Sequence, residues 1–167
     1  MIVDRMKLKP IANLDDQTCF GCGSSNPNGL KMEFFTDKQN VFSFIRVPSV
    51  MTGWDETVHG GILTTIIDEV MGWTVIHLLK KIGVTRSITV DFLKPVIAGE
   101  NLTVVGSLLE EQSERSIHIS GDIYNSNDQL CARGIGTFSM MKPKTAVRLG
   151  VIGQDYMARF EKILKPK

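Results

Sequence analysis

The sequence is short of cysteine and nearly free of net charge. Its three cysteines are an odd number, which argues against a disulfide framework and fits a reduced, cytoplasmic setting. A net charge of +1 gives no bulk electrostatic pull toward nucleic acid or an anionic membrane, so neither is expected as a partner. The first residues, from Met1 to Lys7, lack the apolar run of a secretory signal. The one long apolar stretch is broken by Asp68, Glu69 and His77, which argues against a membrane span. No internal repeat or low-complexity segment is visible. What remains is 43% hydrophobic and 22% charged over 167 residues, the make-up of one globular domain with a real core.

That broken apolar stretch organises the chain. After His59-Gly60-Gly61 come Ile62, Leu63, Ile66, Ile67, Val70, Met71, Trp73, Val75, Ile76, Leu78 and Leu79, which cover every side of a helical wheel. A helix that is apolar all round is a buried one. Asp68 and Glu69 therefore stand where charge is costly unless it is paired, hydrogen-bonded or useful. The segment reads as the active-site helix, with Gly83 as its stop. The two acids point ~100° apart and so take different roles. Asp68 shares a face with Thr64, four residues back, its expected hydrogen-bond partner. Glu69 is expected to meet a partner cation or a dimer surface.

Around this helix the pattern is of strands. Residues 30–35 and 41–47 alternate or are β-rich, with a turn at Asp37-Lys38-Gln39-Asn40 between them. Residues 86–96, 101–111, 115–125 and 129–140 follow the helix, joined by breaks short enough for antiparallel neighbours. Residues 1–18 read as an arm, 19–140 as the main domain, and 141–167 as a connector carrying a short helix over Gln154–Leu164. The fold class is α+β, a curled antiparallel sheet wrapped around one long buried helix. One helix cannot cover both faces and the edges of such a sheet, so a second subunit is expected. Cys19 and Cys22 have the spacing of half a zinc site, but Cys131 stands alone and the histidines are scattered. With the ligand set incomplete, no metal is expected, and Cys19–Cys22 reads as a compact glycine-rich loop. No cofactor is expected either.

Three pieces of the chain resemble the hotdog-fold acyl-CoA thioesterases, in particular the phenylacetyl-CoA and human acyl-CoA thioesterase-like branch. They are Cys19-Phe20-Gly21-Cys22-Gly23 with Asn26-Pro27-Asn28-Gly29-Leu30; Val58-His59-Gly60-Gly61 with an acid, Asp68, nine residues after the histidine; and Asp91-Phe92-Leu93-Lys94-Pro95 with Ala98-Gly99-Glu100. The resemblance runs from Cys19 to Met140, and the middle piece is the most specific.

The resemblance implies hydrolysis of an acyl-CoA substrate to free acid and CoA. That chemistry needs an attacking water or carboxylate and donors for the developing oxyanion. Gly60 and Gly61 would present bare amides at a helix N-terminus, and Asp68 would be general base or nucleophile. His59 is read as an entry residue orienting the loop through its ring nitrogens, with catalytic base as the competing role. By position relative to Pro95, Thr85 falls where related enzymes carry a hydroxyl that helps hold the water. Where they place a polar amide residue six before the histidine, this chain has Gly53, a departure. Arg86 is a candidate for the CoA phosphates. Asp68 lies eight residues after Gly60, ~12 Å along a helix axis, too far for both to meet one carbonyl carbon. Two antiparallel helices from two subunits solve this, as the resemblance also implies: a homodimer, or a dimer of dimers, with shared sites. The competing readings are a non-catalytic acyl-CoA-binding or sensing domain on the same fold, and a hotdog dehydratase or hydratase using His59.

Overall fold

The computed structural model describes residues 3–164; the outermost ends of the expected arm and connector lie outside them. In chain order come β1 (Lys9–Pro10), β2 (Phe34–Thr36), β3 (Asn40–Ile45), β4 (Thr52–Trp54), β5 (Thr57–Val58), α1 (Gly60–Leu79), β6 (Ile82–Phe92), β7 (Leu102–Ser113), β8 (Ser116–Tyr124), β9 (Leu130–Met141), α2 (Pro143–Arg148) and α3 (Gln154–Leu164). Among the described residues, seven strands form one antiparallel sheet in the order β1-β2-β3-β7-β8-β9-β6, and β4 and β5 make a separate two-stranded ribbon. The long helix α1 lies against β3, β6, β7, β8 and β9. This is the hotdog fold, as the sequence predicts.

The residues explain the packing. Along β8, Ile117, Ile119, Gly121 and Ile123 point into the core and alternate with half-exposed neighbours, the period of a strand with one covered face. From α1, Leu63, Ile66, Ile67, Val70, Met71, Trp73, Thr74 and Val75 are buried. Each large aliphatic side chain removed from water there contributes about 1.5–3 kcal/mol. Gly106, Gly121 and Gly134 lie side by side across β7, β8 and β9. A Cβ on them would come within 2.2 Å of Thr74 Oγ1, 2.8 Å of Ile67 Cγ2 and 2.5 Å of Ile67 Cγ2 respectively. The three glycines make a bare groove in which the helix seats closely. By length and composition α1 resembles a membrane span, but its apolar residues are the core of this sheet.

Several boundaries differ from expectation for local reasons. The helix stops at Leu79, because Lys80 adopts the left-handed conformation (φ 55), a usual helix ending. Gly83 is not the stop: it belongs to β6, where a Cβ would sit 2.8 Å from Val75 Cγ1. In the segment 30–35 only the last two residues join a strand. The loop before α1 folds into the β4–β5 ribbon. The arm contributes β1, which pairs with β2, and the connector holds α2. The two sheet edges are unlike. β1 is two residues long and contains Pro10, a blunted edge. β6 is eleven residues long, and Phe92 and Leu93 at its end are each 54% exposed.

Candidate active site

Helix α1 begins at a capped corner. His59 is the N-cap, and its Nδ1 accepts a hydrogen bond from the Gly61 N–H at 2.9 Å. A side-chain acceptor there satisfies one of the donors that every helix start leaves free. The ring holds the entry to the helix, the orienting role read from the sequence. Of the two amides expected to bind an oxyanion, that of Gly61 is thus engaged. The Gly60 N–H has no partner among the described residues. A Cβ on Gly60 would meet the Phe92 ring at 3.3 Å, and one on Gly53 would meet His59 Cδ2 at 3.1 Å. Gly53 therefore lies against the cap, where a larger residue would press on the His59 ring.

Asp68 sits more than two turns further on. Its Oδ1 accepts a hydrogen bond from Thr85 Oγ1 at 2.7 Å. Thr85 is aimed there by a bulge: it pairs with Phe138 while Ser87 pairs with Thr137, leaving Arg86 as the extra residue. A bulge bends a strand and re-aims its side chains. Arg86 itself is exposed. The expected Thr64–Asp68 pair does not form. Thr64 Oγ1 donates instead to the Gly60 carbonyl at 2.9 Å, the back-bond a threonine inside a helix commonly makes.

Within its own chain Glu69 packs against the Cys19–Cys22 loop. Its Oε1 lies 3.3 Å from Cys19 Sγ, and its side chain crosses Gly21, where a Cβ would come within 2.1 Å of Glu69 Cγ. Burial first, and then the negative sulfur of Cys19, push the Glu69 carboxyl up to about 8. The Cys22 thiol, donating to Cys19, holds the Cys19 sulfur well below the usual thiol range and is itself pushed up.

The two acids face one cavity of about 230 Å³, whose walls include Cys19, Cys22, Asp68, Glu69, Thr85 and Tyr156. Tyr156 and Phe160 bring α3 into its wall, and the Phe160 ring packs edge-on against Trp73. The structure therefore brings Asp68 and Thr85 together, and separately gathers Gly53, His59, Gly60 and Gly61 at the helix entry. It does not join the two groups within one chain. Gln17, Cys19, Cys22, Glu69 and Tyr156 were not read as site residues. The Cys19/Cys22 spacing and the cost of a charge at Glu69 were the signals for three of them; Gln17 and Tyr156 carried none.

This geometry and the sheet order define a hotdog-fold protein, and residues 55–132 match the thioesterase superfamily model. A protein of Saccharolobus solfataricus named for an unproven esterase activity is 33% identical over 82 residues, 48% of this chain and 53% of that protein. The chain thus spans about half the length of this curated relative. Among solved structures, a thioesterase superfamily protein is similar at TM-score 0.66 and 24% identity, over 75% of this chain and 60% of its own. A Streptococcus pneumoniae protein, described as a hypothetical thioesterase and solved with coenzyme A, is similar at TM-score 0.59 and 24% identity, over 63% and 80%. The E. coli PaaI protein from the phenylacetic acid degradation operon is similar at TM-score 0.60 and 20% identity, over 67% and 80%.

Proposed function

We propose that this protein hydrolyses an acyl-CoA thioester, with Asp68 as general base and the Gly60 N–H of a second subunit as oxyanion donor. The observation that carries the reading is the Asp68–Thr85 pair, 2.7 Å apart at the wall of a cavity. Thr85 occupies Oδ1 and leaves Oδ2 for a water. That water attacks the thioester carbonyl carbon while Asp68 takes its proton. Charge then develops on the carbonyl oxygen, where an unpartnered N–H at the positive end of a helix stabilises it. The C–S bond breaks, CoA leaves as the thiolate, and the acid is released. Arg86, exposed on the bulge beside Thr85, is the candidate partner for a CoA phosphate.

Asp68 and Gly60 of one helix stand ~12 Å apart, so the reading needs a homodimer. The long free edge of β6, with Phe92 and Leu93 exposed at its end, supports pairing with a second copy. A dimer of dimers is compatible with it. The similar S. pneumoniae protein was solved with coenzyme A, and two further structures of it carry alanine in place of one aspartate and of one threonine. Those are the two residue types paired here.

The test is release of free CoA thiol from a panel of acyl-CoAs, acetyl to palmitoyl with phenylacetyl and benzoyl, for the natural protein and Asp68→Asn. Turnover of some chain length, lost in Asp68→Asn, is the expected result. Turnover that survives the substitution removes Asp68 from the mechanism. Binding of acyl-CoA without turnover of any ester establishes the sensor reading instead.

A further inference from the structure

We propose that Cys19, Cys22 and Glu69 form a three-ligand site for a soft divalent metal ion of the zinc class, with its fourth position open to the cavity that also holds Asp68. The inference does not depend on the thioesterase reading. Its first support is convergence: one donor atom from each residue lies within 4.8 Å of the other two. Two of these residues come from a loop and the third from a helix fifty positions later. A tetrahedral ion with Zn–S of about 2.3 Å and Zn–O of about 2.0 Å sets its sulfur and oxygen ligands about 3.5 Å apart. Cys19 Sγ and Glu69 Oε1 are 3.3 Å apart.

The second support is that the loop is shaped to allow this. The Gly23 N–H donates to the Cys19 carbonyl at 2.9 Å, closing a tight turn around Cys19-Phe20-Gly21-Cys22. A Cβ on Gly23 would lie 2.5 Å from Cys19 N and 2.6 Å from Cys19 O, both backbone atoms. A Cβ on Gly21 would overlap the Glu69 side chain. Both glycines are therefore required, one for the turn and one to let the carboxylate reach the sulfurs.

The third support is the surrounding shell, which donates to a sulfur. Gln17 Nε2 donates to Cys22 Sγ at 3.8 Å. Gln17 is held in turn by the Tyr156 hydroxyl, which donates to its Oε1 at 2.7 Å, and by Asn13. Such outer donors orient and stabilise metal thiolates. Two sulfurs and a carboxylate gathered in a part-buried place share protons while no ion is bound, and a cation would replace those protons. Each thiol that binds loses its proton to solvent as the ion enters. Sulfur ligands select a zinc-class ion over magnesium or calcium. Three protein ligands with one open position is the arrangement of sites that keep a water or a substrate atom on the metal.

The test uses the full chain, purified reduced. Elemental analysis should find about one zinc per chain, and cobalt(II) added to the metal-free protein should give a sulfur-to-cobalt charge-transfer band. Glu69→Gln keeps the side-chain shape and should weaken zinc binding at least ~100-fold, more than the loss of an outer-shell partner. Cys19→Ser should abolish the cobalt band, and Cys131→Ser should leave it in place. The proposal is overturned if the natural chain neither retains zinc nor gives the band. It is equally overturned if Glu69→Gln and Cys19→Ser bind as the natural chain does, or if the freshly purified protein carries a Cys19–Cys22 disulfide and no metal.

Discussion

Asp68 and Glu69 are neighbours on one helix and meet opposite surroundings. Asp68 turns toward β6 and takes one hydroxyl, that of Thr85, on a single oxygen. Its other oxygen remains for a ligand. Glu69 turns toward the Cys19–Cys22 loop, packs across Gly21 and meets a sulfur. The ~100° step between successive helical residues separates the two groups onto different walls of the same cavity. One wall is a strand whose bulge aims a hydroxyl. The other is a turn whose glycines admit a carboxylate. The difference underlies the two proposals, proton transfer for the first acid and an ion held against the helix for the second.

The comparison can be broken most severely at Asp68. Asp68→Asn should cost about 10²–10⁴-fold in turnover, the usual worth of a positioned general base, while acyl-CoA binding measured by calorimetry persists. Next comes Thr85→Val, which removes a hydrogen bond to a charged group, worth about 1.5–3 kcal/mol. Turnover should fall by about 10–100-fold. A Thr64→Val change should have much less effect on rate, since Thr64 bonds the helix backbone and not the acid.

On the other wall, Gly21→Ala should destabilise the fold by about 1–3 kcal/mol through overpacking, measured by urea unfolding. In a Glu69→Ala background most of that loss should vanish, because the crowded side chain is gone; additive losses would show that the two do not touch. At the helix entry, His59→Ala should cost about 1 kcal/mol through the lost cap. The smallest effect concerns His77, on the same helix. Burial and then Lys80 lower its pKa below the ordinary 6.5. The unfolded chain therefore takes up the proton first, and stability should decline as pH falls below that value. His77→Gln should flatten this slope in unfolding curves recorded across the acid range.

Much of this was legible in the residues. The helix showed itself by an apolar wheel and the later strands by alternation, while the preference for Asp68 over Glu69 rested on the spacing in the family the chain resembles. What was not legible depends on contacts between distant segments. Thr64 was the nearest hydroxyl on the face of Asp68, but a threonine inside a helix finds its own backbone first. The real donor, Thr85, sits across a helix-to-strand connection and needs a bulge to aim it, so only the family resemblance indicated it. The Cys19/Cys22 pair looked isolated because the group that meets it, Glu69, lies fifty residues away and is a carboxylate, not another cysteine or histidine. Lys80 ended the helix in a conformation that the sequence credited to Gly83. The short α3, read as a tail, supplies Tyr156 and Phe160 to the cavity wall, which its amphipathic pattern alone did not place.

The central claim is that Asp68 of one subunit works with Gly60 of another. The direct test mixes two inactive variants, Asp68→Asn and Gly60→Val, each first verified to be folded and of natural oligomeric state. Unfolded and refolded together in equal amounts, they should give about half mixed dimers, each with one intact site of two, and so about a quarter of natural thiol-release activity. No recovery above the separate variants, with mixed dimers shown to be present, would contradict a site shared between subunits.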